Sequence, residues 1–293
     1  MALDGPQLDD ALAVARQVVA EAGALLRGRH ALGDRVEPVE FKSTIRDPVT
    51  AWDTRLEDLM RERLGQLSPG VPIVGEERGL GDGPSAPPSA LRWLIDPIDG
   101  TVNFSHGLPL FGITASLEED GYPVVGVIAA PAMGWEVWAR RSGGTLAGPT
   151  EHRPAQSTED GRQLHVSTTS SLERAMLATG FPYDRATSHK NFAEWEHFQI
   201  LAGACRRFGA ASLDLVMVAR GWLDGYWEGD IEAWDLSAGA LLVEEAGGRV
   251  TDITGGPFVS DTGRALATNG AIHVEMLEQL AQVRARRERP GGA

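Results

Sequence analysis

The sequence predicts an α+β fold in its first half and an α/β arrangement in its second, and three patterns carry that expectation. Two amphipathic helical stripes open the chain, three strand-like runs follow within residues 111–140, and strands alternate with helices beyond residue 162. The first stripe sets Leu8, Leu12, Ala15, Val19, Ala22 and Leu26 at spacings of three and four, with Asp4 placed to cap it. The second, within residues 53–67, uses Leu56, Leu59, Met60 and Leu64. Apolar runs at 71–74 and 91–95 read as strands on either side of GLGDGPSAPPSA, whose Gly, Pro and Ser content marks an exposed loop. The turn signals EEDGYP and APAMG divide residues 111–140 into an antiparallel meander. The polar, breaker-rich stretch at 143–162 suggests a division into residues 1–150 and 151–293, although short strands of its own could cross it. After it, strands are expected at 164–167, 206–208, 222–227, 249–251 and 265–268, and helices at 172–178, 212–219, 236–245 and 273–283. The tail RARRERPGGA reads as a charged helix end running into disorder.

Bulk properties narrow the function. The 293 residues are 42% hydrophobic, enough for one large core or two modest ones. No apolar run approaches the roughly 18 residues of a membrane span, and MALDGPQLDD is acidic where a secretion signal would be basic, so the cytoplasm is the expected compartment. The single cysteine, Cys205, excludes an internal disulfide and a cysteine-based zinc cluster, and reads as packing. Twenty-seven basic residues against 41 acidic ones give a formal charge of −14, which disfavours nucleic acid and anionic membranes as partners. No GxxxxGK[ST] segment exists, which removes a P-loop nucleotide binder.

The most informative segment is WLIDPIDGTVNF, residues 93–104, where an apolar strand runs into Asp96, Pro97, Ile98, Asp99, Gly100 and Thr101. Pro97 holds Asp96 extended, and the turn through Ile98 brings Asp99 back towards the same point. Two converging carboxylates suit a hard divalent ion, and the Ile98 carbonyl could add a third oxygen. A helix beginning after Gly100 would offer free N–H groups to a phosphate, and the Thr101 hydroxyl could orient a water. The competing reading is an ordinary surface turn. Two other features favour the metal reading. Glu76 and Glu77 follow directly on the run at 71–74, and acids at strand ends line crevices in layered folds. Trp234-Asp235 opens an Ala-rich helix, where the dipole favours an ionised carboxylate, though Asp235 could be simply a helix cap.

Taken in order, GEE, DPIDGTxNF and WDxxAGxxxxxEAGG resemble the inositol monophosphatase family of metal-dependent phosphatases. KSTIRDPVTAWD at residues 42–53 looks like that family's KSxxDxVTxxD segment, and GWLDGYWEGDIEAWD like its GxxDxYxExxxxxWD segment, so nearly the whole chain is covered. The resemblance implies that Glu76, Asp96, Asp99, Asp235 and the Ile98 carbonyl hold two or three magnesium ions, with Thr101 and Glu76 positioning the attacking water. Asp53 is similar to the residue that supports Thr101, and Lys42 to one on a mobile loop beside a weaker metal. On the substrate side, Asp99, Gly100, Thr101 and Asp235 are implied beside the phosphate. Glu228 resembles an acid that accepts hydrogen bonds from substrate hydroxyls, and Gly209, Ala210 and Ala211 resemble the backbone strip beside it. Many relatives carry Ser or Thr where this chain has Ala210, which removes a side-chain hydroxyl contact. His106 and His189, with no spaced partner, read as bystanders.

The same resemblance implies a layered α-β-α-β-α sandwich of the inositol monophosphatase and fructose-1,6-bisphosphatase type, usually a homodimer and usually sensitive to lithium. Inositol monophosphate is the first expected substrate. Fructose 1,6-bisphosphate, histidinol phosphate and adenosine 3′,5′-bisphosphate are rivals on the same metal motif. A regulatory binding protein that has kept the scaffold is the non-enzymatic alternative, opposed by an intact set of ligand positions and by the lack of a basic stripe.

Overall fold

A computed structural model describes residues 3–30, 35–80, 91–150, 161–183 and 190–287. His189, most of the loop at 79–90 and the end of the tail lie outside the described residues. Helix α1 (Gly5–His30) starts where Asp4 Oδ1 accepts the Gln7 N–H at 3.0 Å, the cap expected from the sequence. A two-residue ribbon, β1 (Glu40–Phe41) against β2 (Pro48–Val49), leads to α2 (Ala51–Leu67), whose Thr50 cap and Asp53 bond reciprocally. The first large sheet runs β3 (Ile73–Gly75), β4 (Arg92–Asp99), β5 (Gly112–Glu119), β6 (Tyr122–Ala130), β7 (Trp135–Arg140), β8 (Thr145–Pro149) and β9 (Arg162–Gln163). It is antiparallel except for the parallel β3–β4 pair. The short helix α3 (Thr101–Ser105) follows β4 directly. The meander has a fourth strand, β8, beyond the three expected, and its partner β9 carries the sheet on to Gln163.

The second sheet has the order β11 (Ala204–Arg206), β10 (Met176–Thr179), β12 (Gly225–Gly229), β14 (Arg264–Thr268), β13 (Arg249–Thr251). Its helices are α4 (Phe192–Leu201), α5 (Ala211–Ala219), α6 (Ala233–Glu245) and α7 (His273–Arg287). Side-chain alternation along the strands sorts these elements into layers. On β6, Val125, Val127 and Ala129 pack under α1 and α2, whereas Ile128 and Ala130 pack against α5 and α6. On β12, Tyr226 joins the α5/α6 core, and Trp227 joins Phe198 of α4 and Met276 and Leu280 of α7 on the far side. The order of layers is therefore α1/α2, large sheet, α5/α6, small sheet, α4/α7, as the resemblance implied.

Three expectations are corrected. Residues 172–178 are not a helix: a single 3-10 turn (Leu172–Arg174) precedes β10. That strand lies between two parallel neighbours and buries Leu177 and Ala178 on opposite faces, so it lacks the polar alternation of a half-buried strand, and periodicity cannot separate such a strand from a buried helix. Residues 164–167 form no strand, although Leu164 N–H and Val166 N–H bond Thr145 O and Ala246 O at 2.8 and 3.1 Å. Helix α4 was not expected at all, because only Phe198 of its ten residues is fully buried and Ile200 is 80% exposed, leaving no clear apolar stripe. Among the described residues no helix is long and apolar enough to cross a membrane.

Candidate active site

Strand β4 runs four residues past the expected stretch and slips register against β5 between Asp96 and Asp99, so both acids emerge near one point. Asp96 Oδ1 accepts the Ile98 N–H at 2.8 Å, closing the turn through Pro97. Gly100 then takes a left-handed conformation (φ 91°) from which α3 starts. A side chain there would also strike the second half of the chain, meeting Ala210 Cβ at 3.0 Å and Gly209 O at 3.1 Å. The strip 209–211 and the DPIDGT turn are thus pressed together, and Asn103 fastens them by donating to Phe208 O at 2.8 Å.

Asp99 spans the same junction. Its Oδ1 accepts Ala211 N–H at 3.2 Å, and its Oδ2 accepts Ser212 N–H at 2.7 Å and the Ser212 hydroxyl. These donors open α5, so the acid sits at the positive end of that helix. Asp235 stands in the first turn of α6 and accepts Glu232 N–H at 3.3 Å. It is a helix-capping residue and a cluster member at once, because Asp96, Asp99 and Asp235 offer oxygens that all lie within 4.8 Å of one another. Burial pushes the carboxyls of Asp96 and Asp235 well above the ordinary range, and repulsion among Glu76, Asp99 and their neighbours adds to it. Burial also raises Asp99, against the hydrogen bonds from Ser212 and Ala211.

Glu76 approaches this group from the end of β3. Its Oε1 accepts a charged hydrogen bond from Lys42 Nζ at 2.7 Å, and Lys42 also reaches Glu77 Oε1 at 2.7 Å. Its Oε2 is buried with no hydrogen-bond partner. Burial raises Glu76 to about 7 despite Lys42. A buried carboxylate oxygen without a donor, beside three acids that repel one another, fits a cation. The donor set is all oxygen, which suits a hard divalent ion. Thr101 Oγ1 lies 2.9 Å from both Asp53 Oδ1 and Ile98 O, and Asp53 is fixed in turn by Thr50 N–H and hydroxyl at 2.8 and 2.6 Å.

Lys42, Glu76, Asp96, Asp99, Thr101 and Asp235 line a cavity of about 520 Å³ together with Gly180, Tyr183, Arg207, Asp214, Glu228 and Trp234. Glu228 accepts the Tyr226 hydroxyl and is lifted to about 7 by burial, with Asp99 adding repulsion. Of the residues expected to hold metal, water or substrate, all reach this cavity except Asp53, which lies behind Thr101. His106 is exposed and outside it. Sequence reasoning passed over Ser212, whose hydroxyl holds Asp99. It also missed Asp214, buried with Oδ1 unsatisfied and pushed well up by burial. The signal for Asp214 was available, since it is the lone acid in the otherwise apolar helix ASLDLVMVA.

Comparison with known proteins agrees with this geometry. The Inositol monophosphatase family model matches residues 7–287. The inositol-1-monophosphatase SuhB of Mycobacterium tuberculosis strain H37Rv is 40% identical over 246 residues, covering 81% of this chain and 82% of the relative. The inositol-1-monophosphatase of Synechocystis is 38% identical over 274 residues, covering 92% and 88%. Among solved structures, an inositol monophosphatase from Anabaena superposes with a TM-score of 0.79 at 36% identity, covering 94% of this chain and 96% of the other. A match of the family model over nearly the full length, together with relatives of this similarity, places the chain in the inositol monophosphatase family.

Proposed function

We propose that the chain is a magnesium-dependent phosphomonoesterase that hydrolyses a small phosphorylated polyol, with inositol monophosphate as its substrate. The observation that carries this reading is the convergence of Asp96 and Asp99 from the first sheet with Asp235 from the central helices, within 4.8 Å, on the wall of a cavity of about 520 Å³. Asp96, Asp99, Asp235, Glu76 and the Ile98 carbonyl would hold the two or three cations. When bound, they supply Lewis-acid polarisation of the phosphate and a more acidic water.

The remaining roles belong to this chain's own side chains. The Thr101 hydroxyl hydrogen faces Asp53 and Ile98 O, so its oxygen lone pairs are left to accept a hydrogen bond from the attacking water. The free Glu76 Oε2 accepts the second hydrogen of that water and draws off its proton. Attack on phosphorus breaks the ester P–O bond on the opposite side; the departing alkoxide takes a proton from solvent water in the open cavity, and Glu76 gives its proton back to solvent, so that one water is consumed per ester cleaved. Gly100 and Thr101 line the cavity where α3 begins, and the first N–H groups of that helix, which have no acceptor within it, would be offered to the phosphate. Glu228 accepts hydrogen bonds from hydroxyls of the departing alcohol, alongside the strip Gly209, Ala210 and Ala211. Function as a homodimer, sensitivity to lithium and a cytoplasmic setting belong to the same proposal.

The test is phosphate release from inositol monophosphate, fructose 1,6-bisphosphate, histidinol phosphate and adenosine 3′,5′-bisphosphate, each with magnesium, with EDTA and with added lithium. Inositol monophosphate should be preferred in magnesium, inert in EDTA and slowed by lithium. Hydrolysis of none of the four would leave the regulatory binding reading in its place.

A further inference from the structure

We propose that Glu57 is a positioning residue: with Arg61 it clamps the backbone of the turn that carries Glu76, so that one face of α2 sets both groups that hold the attacking water. The inference rests on the reading that Glu76 and Thr101 hold that water. Glu57 is fully buried, and its carboxylate spends its lone pairs on backbone rather than on solvent. Oε2 accepts Glu77 N–H at 2.6 Å and Oε1 accepts Arg78 N–H at 3.1 Å, the two amides that directly follow Glu76. Arg61, one turn further along α2, donates to Glu57 Oε1 at 2.7 Å, to Ile73 O at 3.0 Å and to Gly79 O. The turn is closed on itself by reciprocal bonds of 2.9 Å between Gly75 and Gly79. Among the described residues, the side-chain hydrogen bonds to the backbone of residues 75–79 therefore come from one charged pair, beyond the β3–β4 ladder that ends at Gly75.

Two further facts give the clamp its purpose. A Cβ at Gly75 would lie 2.6 to 2.9 Å from the Glu57 carboxylate, so glycine at this position admits the acid against the backbone. Asp53, four residues before Glu57 and hence on the same helical face, holds Thr101 Oγ1 at 2.9 Å. Asp53 thus fixes one water-holding group through its hydroxyl and Glu57 fixes the other through its backbone, one helical turn apart. Burying an acid where an apolar residue would complete the stripe of Leu56, Met60 and Leu64 is costly, and it is offset here by charge-assisted hydrogen bonds to the loop.

The experiment uses the full chain with Glu57→Gln, Gly75→Ala and, as a control, Asp58→Asn. Asp58 pairs with the exposed Arg78 side chain at 2.7 Å and tethers the same loop from outside, without touching its backbone. Glutamine keeps the size of Glu57 but turns an amide donor towards one of the two backbone N–H groups. Magnesium alone is titrated by calorimetry, and magnesium dependence of turnover and thermal melting are measured in parallel. Glu57→Gln and Gly75→Ala should each weaken magnesium binding about tenfold and raise the magnesium needed for half-maximal turnover to match. Asp58→Asn should stay within twofold of the unsubstituted chain. A folded Glu57→Gln that binds magnesium within twofold, with only its melting temperature lowered, would show a purely structural residue and overturn the proposal. So would failure of both variants to fold, since the clamp would then be a folding element. If the unsubstituted chain binds magnesium but releases no phosphate, the functional reading fails instead, and the titrations still decide the clamp.

Discussion

Replacing Asp96 by Asn separates what the acid cluster costs the fold from what it gives the activity. The substitution keeps Oδ1 as an acceptor for Ile98 N–H at 2.8 Å and changes almost no volume, so only the charge at the centre of the cluster is lost. Two unit charges 4.8 Å apart repel by about 3.5 kcal/mol at an effective dielectric near 20. Asp96 faces two such neighbours, Asp99 and Asp235, and Glu76 besides. Because burial and repulsion raise these carboxyls above their ordinary range, proton uptake relieves part of this repulsion and the recoverable part is smaller, about 1–3 kcal/mol. In EDTA the variant should therefore melt a few degrees above the unsubstituted chain, about 2–4 °C per kcal/mol for chains somewhat shorter than this one. In magnesium the order should reverse. A ligand at a hundred times its dissociation constant stabilises by about 2.7 kcal/mol, and a variant lacking a central ligand forgoes most of that. Turnover should fall by at least about 100-fold. Scanning fluorimetry with EDTA and with magnesium, paired with phosphate release, measures all three quantities. A variant that gained nothing in EDTA and was stabilised by magnesium as fully as its parent would refute the assignment of Asp96 to the cation.

Other consequences follow from groups whose titration the fold displaces. Glu228 is raised from 4.5 to about 7, chiefly by burial. An acid shifted upward adds stability below its unfolded value and loses it as pH rises through the folded one, so this contribution of about 3 kcal/mol vanishes between pH 4.5 and 7. Glu228→Gln should flatten that part of the urea-unfolding profile in EDTA and weaken the use of polyol phosphates; an unchanged slope would count against it. His273 runs the other way: burial, with Arg249 nearby, lowers it from 6.5 to about 4, and its ring nitrogens meet Thr251 and Thr268 hydroxyls at 3.0 and 2.9 Å. Its stabilisation is complete above pH 6.5 and fades towards pH 4, again by about 3 kcal/mol, so His273→Gln should be less acid-sensitive than its parent. Glu118, fully buried, is held by Arg92 at 2.6 Å and by the Ser237 and Ser260 hydroxyls at 2.7 and 2.6 Å. Glu118→Ala should cost about 3–5 kcal/mol equally in EDTA and in magnesium, and a loss seen only in magnesium would mean that the network serves the site.

What the sequence revealed depended on whether local chemistry or distant packing decided the outcome. Pro97 restricts the backbone around it and Gly100 permits the left-handed turn that follows, so the convergence of Asp96 and Asp99 could be read from six consecutive residues. The stripes of α1 and α2 report a single buried face and were equally plain. Strand β10 defeats the same method because both of its faces are buried. The layer order rests on which sheet face each helix covers, and only the family resemblance supplied it. Glu57 was invisible for a related reason: it interrupts an apolar stripe and looks like a solvated helix position until the loop at 75–79 folds over it. The contact of Lys42 with Glu76, 34 residues apart, is likewise a property of the folded chain.

The arrangement of charge explains why the site calls for a divalent ion. Asp99 lies at the start of α5 and Asp235 in the first turn of α6, so two helix N-termini converge on the cluster. Each helix end is equivalent to roughly half a positive charge, which together offsets about one of the three carboxylates when all are ionised. Glu76 is already countered by Lys42 at 2.7 Å and leaves the balance unchanged. About two negative charges remain, sequestered from water at the end of a cavity in a chain whose formal charge is −14. A monovalent ion would leave the cluster anionic and hostile to a phosphate ester, whereas one divalent ion brings it near neutrality. A further cation must then make the site attractive to phosphate, and Glu76, whose buried Oε2 has no hydrogen-bond partner, offers it an oxygen beside the cluster. Lys42 holds Glu76 through Oε1 at 2.7 Å and leaves Oε2 open, so the residue that follows β1 anchors the carboxylate without occupying the oxygen that cation needs.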